Sequence, residues 1–223
     1  MTKTILEEKI AVNVERDVTI NAVIGYHDNS IAQDIFFIFP PHPSLGGDYD
    51  NNVVSALYQG VAREGYVAVR FNYRGVDSGR VHDEHFFPYW ERLESTKEYD
   101  LIIKDTETLV KEIRNNIQPN ARIHFIAYSF GNFIALELMS RFDVQKFFGI
   151  SPPIEAYDFE ACFLKKRNCA FAVADDDIFC NKERMQVYSE KYNFPLTVIE
   201  TEDHFYRGVE EQLFLAAKHA MGI

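Results

Sequence analysis

Asp34 to Pro40 reads DIFFIFP, five apolar residues in unbroken succession, closed by Pro40 and Pro41. A strand with one solvated face alternates apolar and polar, because successive side chains point to opposite faces. A run without that alternation is buried on both faces. It needs a covering layer on each side, which is the condition of a parallel sheet clothed in helices. The segments YVAVRFNYRG, RIHFIAYS, VQKFFGIS, NCAFAVAD and LTVIET read as further strands. DNNVVSALYQGVAREG, KEYDLIIKDTETLVKEIRNNI, FGNFIALELMSRF, NKERMQVYSEKY and GVEEQLFLAAKHAM carry apolar residues at helical spacing. Ahead of this alternation, TILEEKIAVNV and VTINAVIGYH alternate well enough for two strands with a turn at Glu15-Arg16-Asp17. The pattern predicts an α/β chain, one domain over residues 1–223, with a mostly parallel sheet of about eight strands and helices on both faces.

The balance of residues narrows what such a chain does. Formal net charge is −11, against the clustered Lys and Arg that a nucleic-acid or anionic-membrane surface demands. Cys162, Cys169 and Cys180 are odd in number and form no C-x-x-C pair, so neither a disulfide scaffold nor a zinc site is expected. A reducing, cytoplasmic setting is expected. MTKTILEEKIAVNVERD lacks the apolar core of a signal peptide, and no apolar run approaches the ~18 residues of a membrane span. No G-x-G-x-x-G occurs, and no cofactor is expected.

One stretch breaks the alternation. RVHDEHFFPYWERLEST, Arg80 to Thr96, lies between a strand and the next helix and holds Trp90, the single tryptophan. A long connection at a strand end is more often functional than idle, so residues 80–96 are read either as a lid or pocket wall or as a surface excursion tacked down by its aromatics. His82 and His85 flank Asp83 and Glu84 there, but a solvated acidic loop is the simpler reading, and no metal site is expected.

In open α/β sheets ligands bind beyond the carboxyl ends of the strands. There the sequence places PHPSLGGDYDNN after DIFFIFP, Ser129 after RIHFIAY, Asp175-Asp176-Asp177 after NCAFAVA, and Glu202-Asp203-His204 after LTVIET. A serine, a carboxylate and a histidine thus share one edge of the sheet. A serine hydroxyl attacks a carbonyl only if an imidazole takes its proton. The imidazole in turn needs a carboxylate to fix its tautomer.

Three blocks resemble the α/β-hydrolase family, and within it the small, capless, dienelactone-hydrolase-like esterases. PPHPSLGGDYDNNVV…LYQGVAREGYVAVRFNYRGVDSG is similar to the family's oxyanion loop, first helix, strand and turn; AYSFGN to its nucleophile elbow; ADDDIF and EDHFYRG to its acid and histidine turns. Together they span about Ile35 to Leu213. The chain order serine, acid, histidine is the family's. The pattern departs at the first glycine of G-x-S-x-G, where Ala127 stands, and at Asn132, where a smaller residue is common.

The resemblance implies Ser129 as nucleophile, His204 as base and Asp177 as acid, with Asp176 second because a one-residue slip in the triple aspartate changes the choice. It implies an oxyanion hole from the N–H of Phe130 and the N–H of Ser44. His42, Leu45, Tyr128, Phe87 and Trp90 are expected to meet the substrate, and Arg74 to anchor its turn by ion pairs or backbone carbonyls, with substrate binding as the second reading. The expected activity is hydrolysis of a small carboxylic ester through an acyl-Ser129 intermediate, a thioester or amide fitting the same constellation. A non-catalytic binding protein, or an acyltransferase on the same fold, stays open as an alternative. The sequence leaves the oligomeric state open.

Overall fold

A computed structural model of the chain describes residues 4–28, 30–76, 85–163, 168–201 and 203–223. The strands are β1 (Leu6–Glu15), β2 (Val18–Tyr26), β3 (Ile31–Phe39), β4 (Tyr66–Phe71), β5 (Arg122–Tyr128), β6 (Val144–Ile150), β7 (Cys169–Ala174) and β8 (Leu196–Ile199). The α-helices are α1 (Asn52–Arg63), α2 (Phe86–Thr96), α3 (Asp100–Ile117), α4 (Gly131–Leu138), α5 (Glu160–Phe163), α6 (Lys182–Tyr192) and α7 (Glu210–Met221).

The strands form one eight-stranded sheet in the order β1-β2-β4-β3-β5-β6-β7-β8. The first two pair antiparallel, β2 pairs antiparallel with β4, and every later pairing is parallel. This is the architecture expected from the alternation. The continuous apolar runs belong to β3 and β5 at the centre of the sheet, where Ile35 to Phe39 and Phe125 to Ala127 are buried. Side chains of alternate parity feed two cores. Phe37, Phe39, Phe125 and Ala127 join residues of α3, α4 and α6 on one face. Phe36, Ile38, Ile126 and Tyr128 join α1 and α7 on the other.

From β3 the chain crosses to β4 on one side and later returns to β5 on the other. The crossovers therefore diverge between β3 and β5, and a crevice opens at their carboxyl ends. On its way, Arg74 grips Asp105 of α3 through two hydrogen bonds (2.6 and 2.9 Å) and reaches Glu15 (3.1 Å), so it anchors its turn as expected.

Helix α2 lies in the stretch that breaks the alternation, and Pro88 sits inside it. Its third position explains the tolerance: first-turn N–H groups have no intrahelical acceptor, so a missing one costs little. Arg80 to Glu84 of the expected excursion, His82 among them, lie outside the described residues.

Candidate active site

Ser129 follows β5 directly with φ +51°, a left-handed backbone that a non-glycine residue adopts only when its surroundings hold it there. Three contacts do so. Its N–H donates to Ile150 O (2.9 Å). Its carbonyl accepts from Asn132 N–H (3.0 Å) and from the Asn132 side-chain amide (2.9 Å). Gly131 is required by close approach: a Cβ there would meet Phe39 O at 2.7 Å and Pro40 O at 2.8 Å.

The turns after β7 and β8 bring the other two groups to the serine. His204 Nε2 stands 3.2 Å from Ser129 Oγ. His204 Nδ1 lies 2.8 and 2.9 Å from the two Asp177 oxygens. A carboxylate only accepts, so Nδ1 carries the proton and Nε2 is left to accept from the hydroxyl. Asp177 Oδ1 also accepts the N–H groups of Phe179 (2.8 Å) and Cys180 (3.0 Å), which fixes the carboxylate on its turn. All three side chains are buried. Asp176, the second choice, is exposed, and its N–H donates to Thr201 O (3.4 Å).

A cavity of about 460 Å³ opens beside Ser129. Of the expected substrate contacts, His42, Leu45 and Trp90 line it, and so do Ser44 and Phe130. Trp90 is fully buried, with Phe130 and His42 set edge-on to its ring at 6.2 and 5.2 Å. Helix α2 supplies one part of the cavity wall through its second and third turns: Trp90, Glu91, Glu94 and Ser95.

Two expected substrate contacts are corrected. Tyr128 does not line the cavity. Successive residues of a strand point to opposite faces, so the last residue of β5 turns to the α1–α7 side, where its hydroxyl donates to His204 O (2.9 Å). Its ring props the histidine turn from beneath. Phe87 does not line the cavity either. It sits on the first turn of α2, half exposed, beside the ring of Phe86 (5.1 Å).

The N–H of Phe130 has no acceptor among the described residues. The N–H of Ser44 is not free: it donates to His42 Nδ1 (3.2 Å) within the short 3₁₀ turn Pro43–Leu45. Leu45 N–H donates to His42 O (2.9 Å). The second oxyanion donor expected from the loop is therefore engaged by the loop itself.

The sequence reading singled out none of Glu91, Glu94, Ser95, Pro153, Ala156, Tyr157 and Phe179 of the cavity wall. Pro153 to Tyr157 follow β6, so the rule of strand carboxyl ends, extended to that strand, reaches them. Glu94 receives hydrogen bonds from Tyr99 (2.5 Å) and Tyr157 (2.6 Å) and pairs with Lys97. Burial pushes its carboxyl up, but these donors outweigh burial and hold it below the usual range. Burial holds the His42 imidazole below its ordinary value, against the pull of Glu94. Among the described residues no group of three His, Cys, Asp or Glu side chains is arranged to hold a metal ion, and no helix is long and apolar enough to cross a membrane.

The whole architecture recurs in solved structures. An α-β serine hydrolase homologue from Coxiella burnetii is 18% identical, with a TM-score of 0.77 and 94% of each chain covered. The chain has the α/β-hydrolase fold. A lidless α/β serine hydrolase from Xanthomonas campestris is 18% identical, with a TM-score of 0.76 over 97% of this chain and 94% of that one. Est1E from Butyrivibrio proteoclasticus is 13% identical, with a TM-score of 0.70 over 96% and 97%. No protein-family model matches the chain. In sequence it is 27% identical over 190 residues to an uncharacterized protein of Rickettsia prowazekii, covering 80% of this chain and 74% of that protein.

Proposed function

We propose that the chain is a serine hydrolase that cleaves small carboxylic esters through an acyl-Ser129 intermediate. The observation that carries this reading is the unbroken relay from Ser129 Oγ to His204 Nε2 (3.2 Å) and from His204 Nδ1 to Asp177 (2.8 Å). Solved neighbours described as serine hydrolases and as esterases support it.

In acylation, Oγ attacks the ester carbonyl carbon as its proton passes to Nε2. The imidazolium is stabilised by the buried Asp177 carboxylate. The developing oxyanion is received by the Phe130 N–H, and the Ser44 N–H joins it by sharing or releasing its bond to His42 Nδ1. Collapse breaks the bond to the alcohol, which leaves with the proton held on Nε2. Water, deprotonated by the same nitrogen, then attacks the acyl carbon. The carboxylic acid departs and Oγ regains its proton.

Turnover of short-chain p-nitrophenyl esters tests the reading. Ser129→Ala is expected to lower kcat by at least roughly 10³-fold with the fold retained. Turnover equal to wild type in the variant would remove Ser129 from the chemistry.

A further inference from the structure

The cavity beside Ser129 is walled mainly by apolar groups, among them Trp90, Phe130, Pro153 and Phe179. Among the polar groups that interrupt this wall, His42 and Glu94 stand next to each other. His42 is nine-tenths buried, and its Nδ1 accepts the Ser44 N–H, so the proton of the neutral ring sits on Nε2. That Nε2–H has no hydrogen-bond partner. Glu94 Oε2 stands 3.5 Å away, beyond ordinary hydrogen-bond length. A buried donor left unpaired costs free energy, and in a binding cavity it marks a place for a ligand acceptor.

Glu94 supplies the opposite need. Its Oε2 takes the hydroxyls of Tyr99 and Tyr157, and its Oε1 takes Lys97. The two hydroxyls fill Oε2, and of the roughly four lone-pair sites of a carboxylate the one still open lies on Oε1. Glu94 and Glu91 both line the cavity, and among its described lining residues there is no lysine or arginine. Lys97 stands aside, paired with Glu94 and 4.4 Å from the centre of the Tyr157 ring. A group that accepts one hydrogen bond and donates another serves the His42 Nε2–H and the open site of the Glu94 carboxylate at once. An alcohol does this; a carboxylate would meet Glu94 with like charge, and an ammonium offers nothing to His42 Nε2–H.

Resting on the esterase reading above, we propose that the substrate's acyl group is apolar and carries a hydroxyl, which accepts from His42 Nε2–H and donates to Glu94. Glu94 is then the residue that sets specificity, apart from the bond-breaking machinery.

Two series of ethyl esters test this: hexanoate against 2-hydroxyhexanoate and 3-hydroxyhexanoate, and 3-phenylpropanoate against 3-(4-hydroxyphenyl)propanoate. The readout is the ratio of kcat/KM between a hydroxylated ester and its parent within one enzyme, which is independent of the fraction folded. At least one hydroxylated ester is expected to exceed its parent about tenfold, the scale of a charge-assisted hydrogen bond. Glu94→Gln is expected to remove most of that gain, and Glu91→Gln to keep it. Turnover of the parents with no hydroxylated ester preferred would overturn the hydroxyl site and leave the esterase reading standing. A gain lost equally in both variants would assign it to general charge and overturn the role of Glu94. No turnover of any ester, with no labelling of Ser129 by a fluorophosphonate, would overturn both readings together.

Discussion

The side-chain amide of Asn132 donates to the carbonyl of Ser129 (2.9 Å), and to that of Ile150 at the end of β6 (2.8 Å). One buried amide thus clamps the turn that carries the candidate nucleophile to the neighbouring strand. Gly149 leaves it the room, since a Cβ there would meet Asn132 Oδ1 at 2.4 Å. Asn132→Ala removes both donors from buried carbonyls and is expected to cost about 1–3 kcal/mol of stability. Because Ser129 keeps its strained φ through these contacts, kcat is expected to fall more than KM rises. Urea denaturation beside ester kinetics checks both, and an unchanged kcat in a destabilised protein would confine Asn132 to folding.

Gly131 and Ala127 flank the same turn and are expected to respond differently. A Cβ on Gly131 would press on the carbonyls of Phe39 and Pro40, which are backbone and cannot swing away. Gly131→Ala is expected to cost roughly 1–3 kcal/mol, as overpacked sites do. Ala127 is buried inside β5, paired with Phe39 and Gly149. Ala127→Gly restores the glycine of the resembled motif at a cost of about 0.5–1 kcal/mol, with turnover kept. Thermal melting of the two variants measures the contrast.

The triple aspartate separates by geometry. Asp177 is bonded to His204 through both oxygens, whereas Asp176 is exposed. Asp177→Asn replaces an acceptor with a group that favours the wrong imidazole tautomer, and kcat is expected to drop roughly 10³–10⁴-fold. Asp176→Asn is expected to stay within a few-fold of wild type. Steady-state kinetics of the two side by side decide, and the reverse pattern would move the acid by one residue.

Stability is expected to depend on pH through two buried rings. Burial holds both His42 and His124 below the ordinary 6.5, and in His124 it outweighs the pull of Asp34 at 2.8 Å. Below pH 6.5 the unfolded chain binds protons at these rings that the folded chain refuses. Unfolding free energy therefore rises with pH through this window and is lost on acidification. The urea midpoint is expected to hold steady from about pH 8 to 7 and to fall as the pH drops below 6.5, with His124→Gln shrinking the fall. The low-titrating carboxylates Asp34 and Glu94 add their loss only at more acid pH.

Much of this was legible in the sequence where a physical constraint acts along the chain. The unbroken Ile35–Phe39 run demanded cover on both faces, and β3 lies at the sheet centre with cores on either side. The residues just beyond β5, β7 and β8 were readable as a serine, a carboxylate and a histidine because a parallel sheet brings all such ends to one edge; the family resemblance put Asp177 before Asp176, and it is Asp177 that stands beside His204. What escaped depends on contacts distant in sequence. Tyr128 is one peptide from Ser129 yet faces the other core, a consequence of strand alternation that motif matching ignores. The engagement of Ser44 N–H by His42 is a matter of one side-chain torsion. Glu94 meets Tyr99 and Tyr157 only once α2 is a helix and the segment after β6 folds back toward it.

The most direct test of the central claim is intact-mass analysis after exposure to a fluorophosphonate, for wild type beside Ser129→Ala. An activated serine is expected to gain one phosphonyl adduct, mapped by peptide digestion to Ser129, with none on the variant. Equal labelling of both proteins, or a folded wild type that stays unlabelled while turning over esters, would contradict a Ser129 nucleophile served by His204 and Asp177.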